Sequence, residues 1–373
     1  MKKTFLMIGL LLLTAIGLQA EETTDYITLT AIDLETGDVR DAVNPGEEEV
    51  YLVVSLEGTK NYSGYNMDIH LPEGMDVVCM DGEPLIDMME FDIYPYTKKL
   101  GKKNYTHVLS GSYGSVGERT LRVACLSLNN DEFTQTSGEL FIMAVKISPY
   151  AKPGIADITI DGVALKVAGG AEYDPASRVD QNIAIGTAAT APISVSTVNQ
   201  WSTGIFPFDA ALPEGVKAYS CSSVKDENYL ALTEEKTIAA YTPYILYAEG
   251  GYYGDLSGTV NAEKYAETCS AGFLTGAIVP QEITSGYVLQ NLSDGAKFYR
   301  INNNDVFTIP AGKCWLSMPA KAEAYGFWNT TNVSTLHEDT TDAPAYDLSG
   351  RQVSEMKAGE IYIVNGQTVL KMK

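Results

Sequence analysis

The chain has 373 residues, room for two or three domains at roughly 100–200 residues each, and its 45% hydrophobic content is enough to build real cores. Asp and Glu number 48 against 26 Lys and Arg, a net charge of -22, and a field of that sign repels nucleic-acid phosphates, so no nucleic-acid partner is expected. With 33 Gly, 23 Tyr and 3 His, the composition suits short strands and turns and supplies few general bases or zinc ligands.

At the N-terminus, Lys2 and Lys3 precede an apolar run from Phe5 to Ile16, and Leu18-Gln19-Ala20 offers a small-residue cleavage site before Glu21-Glu22. This is the pattern of a secretory signal peptide, expected over 1–20. The run is shorter than the roughly 20 residues that span a bilayer, so the expected mature chain starts at Glu21 and has no membrane span. Cys79, Cys125, Cys221, Cys269 and Cys314 are odd in number and widely spaced, which argues against a disulfide scaffold. No Cys-x-x-Cys supplies a zinc or thioredoxin-like signature.

From 26 to 193 the dominant period is two. Val50, Leu52, Val54 and Leu56 alternate with Tyr51, Val53 and Ser55, while Tyr65, Met67, Ile69 and Leu71 alternate with Asn66, Asp68 and His70; each run reads as a half-buried strand. Similar runs at 27–32, 105–109, 121–128, 141–147 and 158–165 are separated by turns such as Asn44-Pro45-Gly46, Pro72-Glu73-Gly74 and Pro153-Gly154. The expected fold class is all-β: an antiparallel sandwich over 21–193 whose last strand leads into a Gly-Thr-Ala-Ala-Thr-Ala-Pro linker.

The order of these pieces resembles a known family. An Asn-Pro-Gly-Glu turn opening a strand, Ser63-Gly64-Tyr65-Asn66-Met67 leading to Leu71-Pro72-Glu73-Gly74-Met75, Gly138 before the strand at 140–147, and Lys152-Pro153-Gly154 before an Ile-rich strand together resemble the cohesin-like sandwich. That resemblance implies a jelly roll related to certain carbohydrate-binding modules. Through the family's dockerin partners it also implies a receptor for protein.

A second, smaller β-rich domain is expected over 194–328, with strands near 216–220, 244–248, 287–290, 297–301 and 313–318 and one short helix within 260–269. Its Lys217-Ala218-Tyr219, Thr242-Pro243-Tyr244, Lys297-Phe298-Tyr299 and Ile309-Pro310-Ala311-Gly312-Lys313-Cys314-Trp315-Leu316 are similar to an accessory module of secreted Bacteroidetes proteins. A Thr/Asp-rich linker at 329–345 precedes 346–373, where Tyr346-Asp347-Leu348-Ser349-Gly350-Arg351 and the run from Gly359 to Lys371 resemble the tail of a type IX secretion sorting domain. Asn365-Gly366 between alternating apolar residues is a strong hairpin signal. The expected location is secreted, extracellular or on the outer cell surface, and periplasmic if this last segment is only structural.

His70, His107 and His337 are the chain's histidines, and no G-x-S-x-G, H-E-x-x-H, Walker or G-x-G-x-x-G pattern is present. No catalytic residue, metal or cofactor is expected. Asp33 to Asp38 gathers acids beside a Gly turn without the ligand spacing of an EF-hand. Candidate ligand-binding residues are aromatic: Tyr94 and Tyr96 in the 92–103 loop, and Tyr252 and Tyr253 flanked by Gly251 and Gly254, expected as exposed rings on which a sugar or a protein packs. Asp339-Thr340-Thr341 resembles the Bacteroidetes O-glycosylation acceptor, with Thr340 as the modified residue. The residues and resemblances together describe a secreted or surface-displayed, non-catalytic binding protein. It reads as an adhesion or glycan-handling accessory with an extracellular glycan or a surface protein as partner. The alternatives are a cohesin-type receptor for a dockerin-like partner and a glycoside hydrolase with a cryptic carboxylate pair.

Overall fold

The computed structural model describes residues 25–370 with breaks at 89–90, 100, 115–117, 168, 170–172, 176–177, 182, 199, 226, 293–294, 303–304, 320, 329–332, 336–344, 347–351, 354–360 and 365–366. The expected signal peptide lies outside the described residues, among which no helix is long and apolar enough to cross a membrane. The fold is all-β. Of the expected helix within 260–269, only the turn Ala262–Lys264 is helical, capped by the Asn261 side chain. Beyond it the chain enters the strand Thr268–Ala271, whose pairing with Leu274–Ala277 outweighs helical continuation.

The N-terminal half is a sandwich of two sheets. One runs in the order Arg178–Gln181, Tyr26–Ile32, Val50–Glu57, Gly138–Ile147, Met75–Val77; the other runs His107–Tyr113, Thr120–Ser127, Tyr62–His70, Thr159–Val167, Tyr173–Pro175. The pairing is antiparallel except between Tyr26–Ile32 and Arg178–Gln181. Alternation decides which side chains fill the space between the sheets. Leu52, Val54 and Leu56 from one sheet and Tyr65, Ile69, Leu121 and Cys125 from the other are fully buried in one cluster. Each such side chain contributes about 1.5–3 kcal/mol of burial. Cys125 is thus a small core hydrophobe, and desolvation pushes its thiol up to about 11. All five cysteines are unpaired.

The turn at Asn44-Pro45-Gly46 shows how the loops are held. Glu47 accepts two bonds from Arg40, both 2.7 Å, and two from the backbone and side-chain amides of Asn44, at 2.8 and 3.0 Å. Burial alone would raise the Glu47 pKa, but these donors bring it below the usual value. Gly46 has φ +92°, and a Cβ there would lie 2.0 Å from the Thr190 carbonyl oxygen. Only glycine allows that approach.

Thr190 belongs to the stretch expected as a linker, and here the structure differs. Ala188–Val195 is a strand, antiparallel to Tyr252–Thr259, with Ala189, Ala191, Ile193 and Val195 buried in the second core. Alanine and threonine present little hydrophobic contrast, so the alternation was invisible beside the polar composition. The second core lies against a ten-stranded sheet running from Trp201–Gly204 through Tyr244–Ala248, Val216–Lys225 and Tyr229–Glu235 to Ala324–Trp328, and on to Thr268–Ala271. The sheet curls back on itself: Thr203 Oγ1 accepts from the Cys314 amide at 3.0 Å, and the Ile205 amide donates to the Gly312 carbonyl at 3.2 Å.

The two halves touch through the segment after Gly138–Ile147. Tyr150 packs into the second core, and Lys152 Nζ sits 5.6 Å from the Tyr265 ring centroid. Further along, Val333–Thr335, Gln367–Leu370, Ile361–Val364, Ala345–Tyr346 and Gln352–Val353 form a sheet in that order. The pairing of Val364 with Gln367 and Ile361 with Leu370 is the register an Asn365-Gly366 hairpin requires. One of these strands, Val333–Thr335, falls inside the stretch expected as a linker at 329–345, and Ala345–Tyr346 straddles its end.

Candidate functional site

The four tyrosines picked from sequence occupy different environments. Tyr94 is 1% exposed; its hydroxyl donates to the Leu140 carbonyl and shares a 3.0 Å hydrogen bond with the Tyr65 hydroxyl. It is a core residue, because its ring packs edge-on against Phe133 at 5.5 Å and beside His107 at 5.4 Å, and the expectation of an exposed ring is corrected. Tyr96 is partly exposed at the base of the hairpin of Tyr96–Lys99 with Lys102–Tyr105. Its ring meets Tyr105 edge-on at 5.9 Å and Lys103 Nζ at 4.8 Å from the centroid. Tyr252 packs against the second core, whereas Tyr253, one residue on and facing outward, is 84% exposed. Thr340 lies outside the described residues.

A second candidate surface is the outer face of the sheet built from His107–Tyr113, Thr120–Ser127, Tyr62–His70 and Thr159–Val167. Pairing places its outward side chains in rows: Ser112, Arg122, Asp68 and Asp161; then Ser110, Ala124, Asn66 and Ala164; then Val108, Leu126, Gly64 and Lys166. The first row is charged. Arg122 Nε lies 3.3 Å from Asp68 Oδ2, and His70, held by Thr120 Oγ1 at 2.9 Å, reaches Asp161 Oδ2 at 3.1 Å. The third row begins with open apolar side chains: Val108 is 52% exposed, Leu126 40%, and Leu128, just past the strand end, 82%. No Phe, Tyr or Trp stands among these outward positions.

Sequence reasoning missed Val108, Leu126 and Leu128. Their signal was present in the phase of the pattern: Leu121, Val123 and Cys125 face inward, so an apolar residue at 126 and again at 128 stands on the solvent side.

Two recesses also stand out among the described residues. One, of about 500 Å³, lies at the charged end of the face and is lined by His70, Tyr113, Glu118, Arg119 and Arg122 among others; Arg119 is held by both Glu73 oxygens at 2.9 Å. The other, of about 300 Å³, lies in the second domain and includes Trp201, Gln290 and Lys313 in its lining. The first contributes a single carboxylate, Glu118, and the second none. Neither sets two carboxylates face to face as glycoside hydrolysis requires. Glu139, whose carboxyl is raised by desolvation and then by the charge of Asp92, lines neither recess. Asp33 Oδ1 accepts from the Glu35 and Thr36 amides at 3.0 and 2.9 Å, so it caps the turn it belongs to. His107 is a buried histidine, 3% exposed and with no partner for Nε2; desolvation lowers its pKa.

No family model matches the chain, and no curated protein matches it. Among solved structures it is similar to cohesin modules. A non-cellulosomal cohesin from Archaeoglobus fulgidus aligns over 44% of this chain and 91% of its own at 11% identity, with a TM-score of 0.30. A type II cohesin from Bacteroides cellulosolvens aligns over 42% and 94% at 13% identity and a TM-score of 0.30. A type I cohesin-dockerin complex from Clostridium thermocellum gives 45% and 98% at 11% identity and a TM-score of 0.29. At such values, function has to be read from the chain's own residues.

Proposed function

We propose that this chain is an extracellular, non-catalytic binding protein whose sandwich docks a protein partner on the outer face of the sheet around Tyr62–His70 and Thr120–Ser127. The observation that carries the reading is that face itself: it is backed by the buried core of the sandwich and bears Val108, Leu126 and Leu128 in the open toward one end, with the Arg122–Asp68 pair toward the other. Apolar side chains clustered beside polar ones are the composition of a protein-binding patch. The absence of outward rings among the described positions gives a sugar no platform there.

The signal-peptide pattern at 1–20 and the sorting-like tail at 346–373 support export and surface display. The reading is tested by the double substitution Val108→Asp and Leu126→Asp. Both positions are exposed, so the fold should survive, and capture of the cognate surface protein should be lost. Undiminished capture by the folded double variant would remove the face as the docking site. A glycan reading has one observation in its favour, the 84% exposed ring of Tyr253. A glycan array in which Tyr253→Ala abolishes a specific signal would establish it.

A further inference from the structure

The segment Ile309-Pro310-Ala311-Gly312-Lys313-Cys314-Trp315-Leu316 takes no part in the sheet face, and it places a cation where none is balanced. Lys313 lines the cleft of about 300 Å³ at the seam where the second sheet curls back on itself, together with Trp201, Ser202, Leu289, Gln290 and Pro310. Its ammonium donates to Ser202 Oγ at 3.2 Å and to the Thr203 carbonyl at 3.4 Å. An ammonium has three donors, so one is left for the cleft. No carboxylate lines the cleft. The groups that act on Lys313 are its burial, which lowers its pKa, and the neighbouring Cys314. Among the described residues, no hydrogen-bond partner is seen for the Gln290 side-chain amide, which also lines the cleft.

The frame around the lysine is fixed. The Lys313 amide donates to the Pro310 carbonyl at 3.1 Å, the Gly312 amide to Ala277 at 2.7 Å, and the Ala277 amide back to Lys313 at 2.9 Å. Trp201 is stacked on Phe327 with centroids 4.1 Å apart, so one wall is a held aromatic ring. A half-buried charge without a counter-charge is costly unless an anion completes the pair. The cleft therefore has half an ion pair, a free amide and an aromatic wall, at the small end of the ligand-pocket range of roughly 300–1,000 Å³.

We propose that this cleft binds a small carboxylate carrying a ring or other apolar body, with the carboxylate on Lys313 Nζ and the Gln290 amide and the body against Trp201 and Leu289. Sugar acids and aryl acids share this chemistry, and paired probes separate them. Calorimetric titration of the full mature protein uses galacturonate against galactose, and phenylacetate against phenylacetamide. The acid of at least one pair binds while its neutral partner does not, and the pair that responds names the source.

Lys313→Met weakens that binding roughly tenfold or more, the scale of one charge-assisted contact. Affinity for the acid also falls as pH rises and the lysine loses its proton. If Lys313→Met does not fold, Gln290→Ala, which removes no charge, weakens the same acid in the same assay. A lysine that only ties the sheet seam together predicts otherwise. No binding of either acid at about 10 mM, equal binding of acid and neutral partner, or unchanged affinity in the folded Lys313 variant or in Gln290→Ala overturns the proposal.

Discussion

Replacing Tyr94 separates a core role from a binding role. The ring is 1% exposed and packs on Phe133 at 5.5 Å, and its hydroxyl serves the Leu140 carbonyl and the Tyr65 hydroxyl. Tyr94→Ala removes the ring from a closed core, a loss of about 3–5 kcal/mol. Tyr94→Phe keeps the ring and strips two buried groups of a partner, about 1–2 kcal/mol. The protein supplies its own reporter. Trp201, Trp315 and Trp328 all lie beyond the sandwich, so tryptophan fluorescence follows the second domain and far-ultraviolet circular dichroism follows both. In urea titrations of the intact chain, the sandwich transition should move to lower denaturant in the order wild type, Phe, Ala, while the fluorescence transition stays in place. A Tyr94→Ala protein within about 0.5 kcal/mol of wild type would refute the burial argument. A fluorescence transition that moves in step would refute independent unfolding of the two halves.

Three further outcomes are expected. Burial lowers the His107 pKa below its ordinary value of 6.5, so the unfolded chain takes up this proton at a higher pH than the folded chain does. Stability from this residue is therefore intact above that pH and is lost as pH falls below it; His107→Phe should flatten the loss between about pH 7 and pH 5, and an unchanged slope counts against the assignment. Gly312 has φ +79°, and a Cβ there would lie 2.0 Å from the Tyr150 hydroxyl. Gly312→Val should therefore cost about 1–3 kcal/mol and loosen the segment around Tyr150, a change visible as faster protease nicking there than in wild type. Intact mass of protein from the native host should show a glycan that disappears on Thr340→Ala, and an unmodified peptide spanning Asp339 to Thr341 would remove that site.

The sandwich was legible because burial there follows period two: Val50, Leu52, Val54 and Leu56 announce an inward face without any help from context. Ala188–Val195 was not, because its inward residues are two alanines, an isoleucine and a valine set among Thr, Ser and Pro, and only the partner strand Tyr252–Thr259 makes the alternation meaningful. Tyr94 and Tyr253 show the limit for single residues. Both sit in polar, Gly- or Lys-rich surroundings, and what buries one and exposes the other is tertiary: Phe133 and His107 arrive from distant positions to enclose Tyr94. The docking face is a property of register across four strands, which no single run reveals. Lys313 was visible as part of a motif, but its cleft depends on the closure of Trp201–Gly204 onto Cys314–Leu316.

The most direct measurement of the docking face is site-specific photocrosslinking on the surface of the native host, with a photoreactive residue at 108 or 126 on the sheet face and at 253 on the second domain as control. The account predicts one discrete protein adduct from both sheet positions, none from the control, and loss of the adduct when excess unlabelled wild-type protein competes but not when the Val108→Asp, Leu126→Asp variant does. Adducts from position 253 alone, or equal competition by the variant, would contradict it.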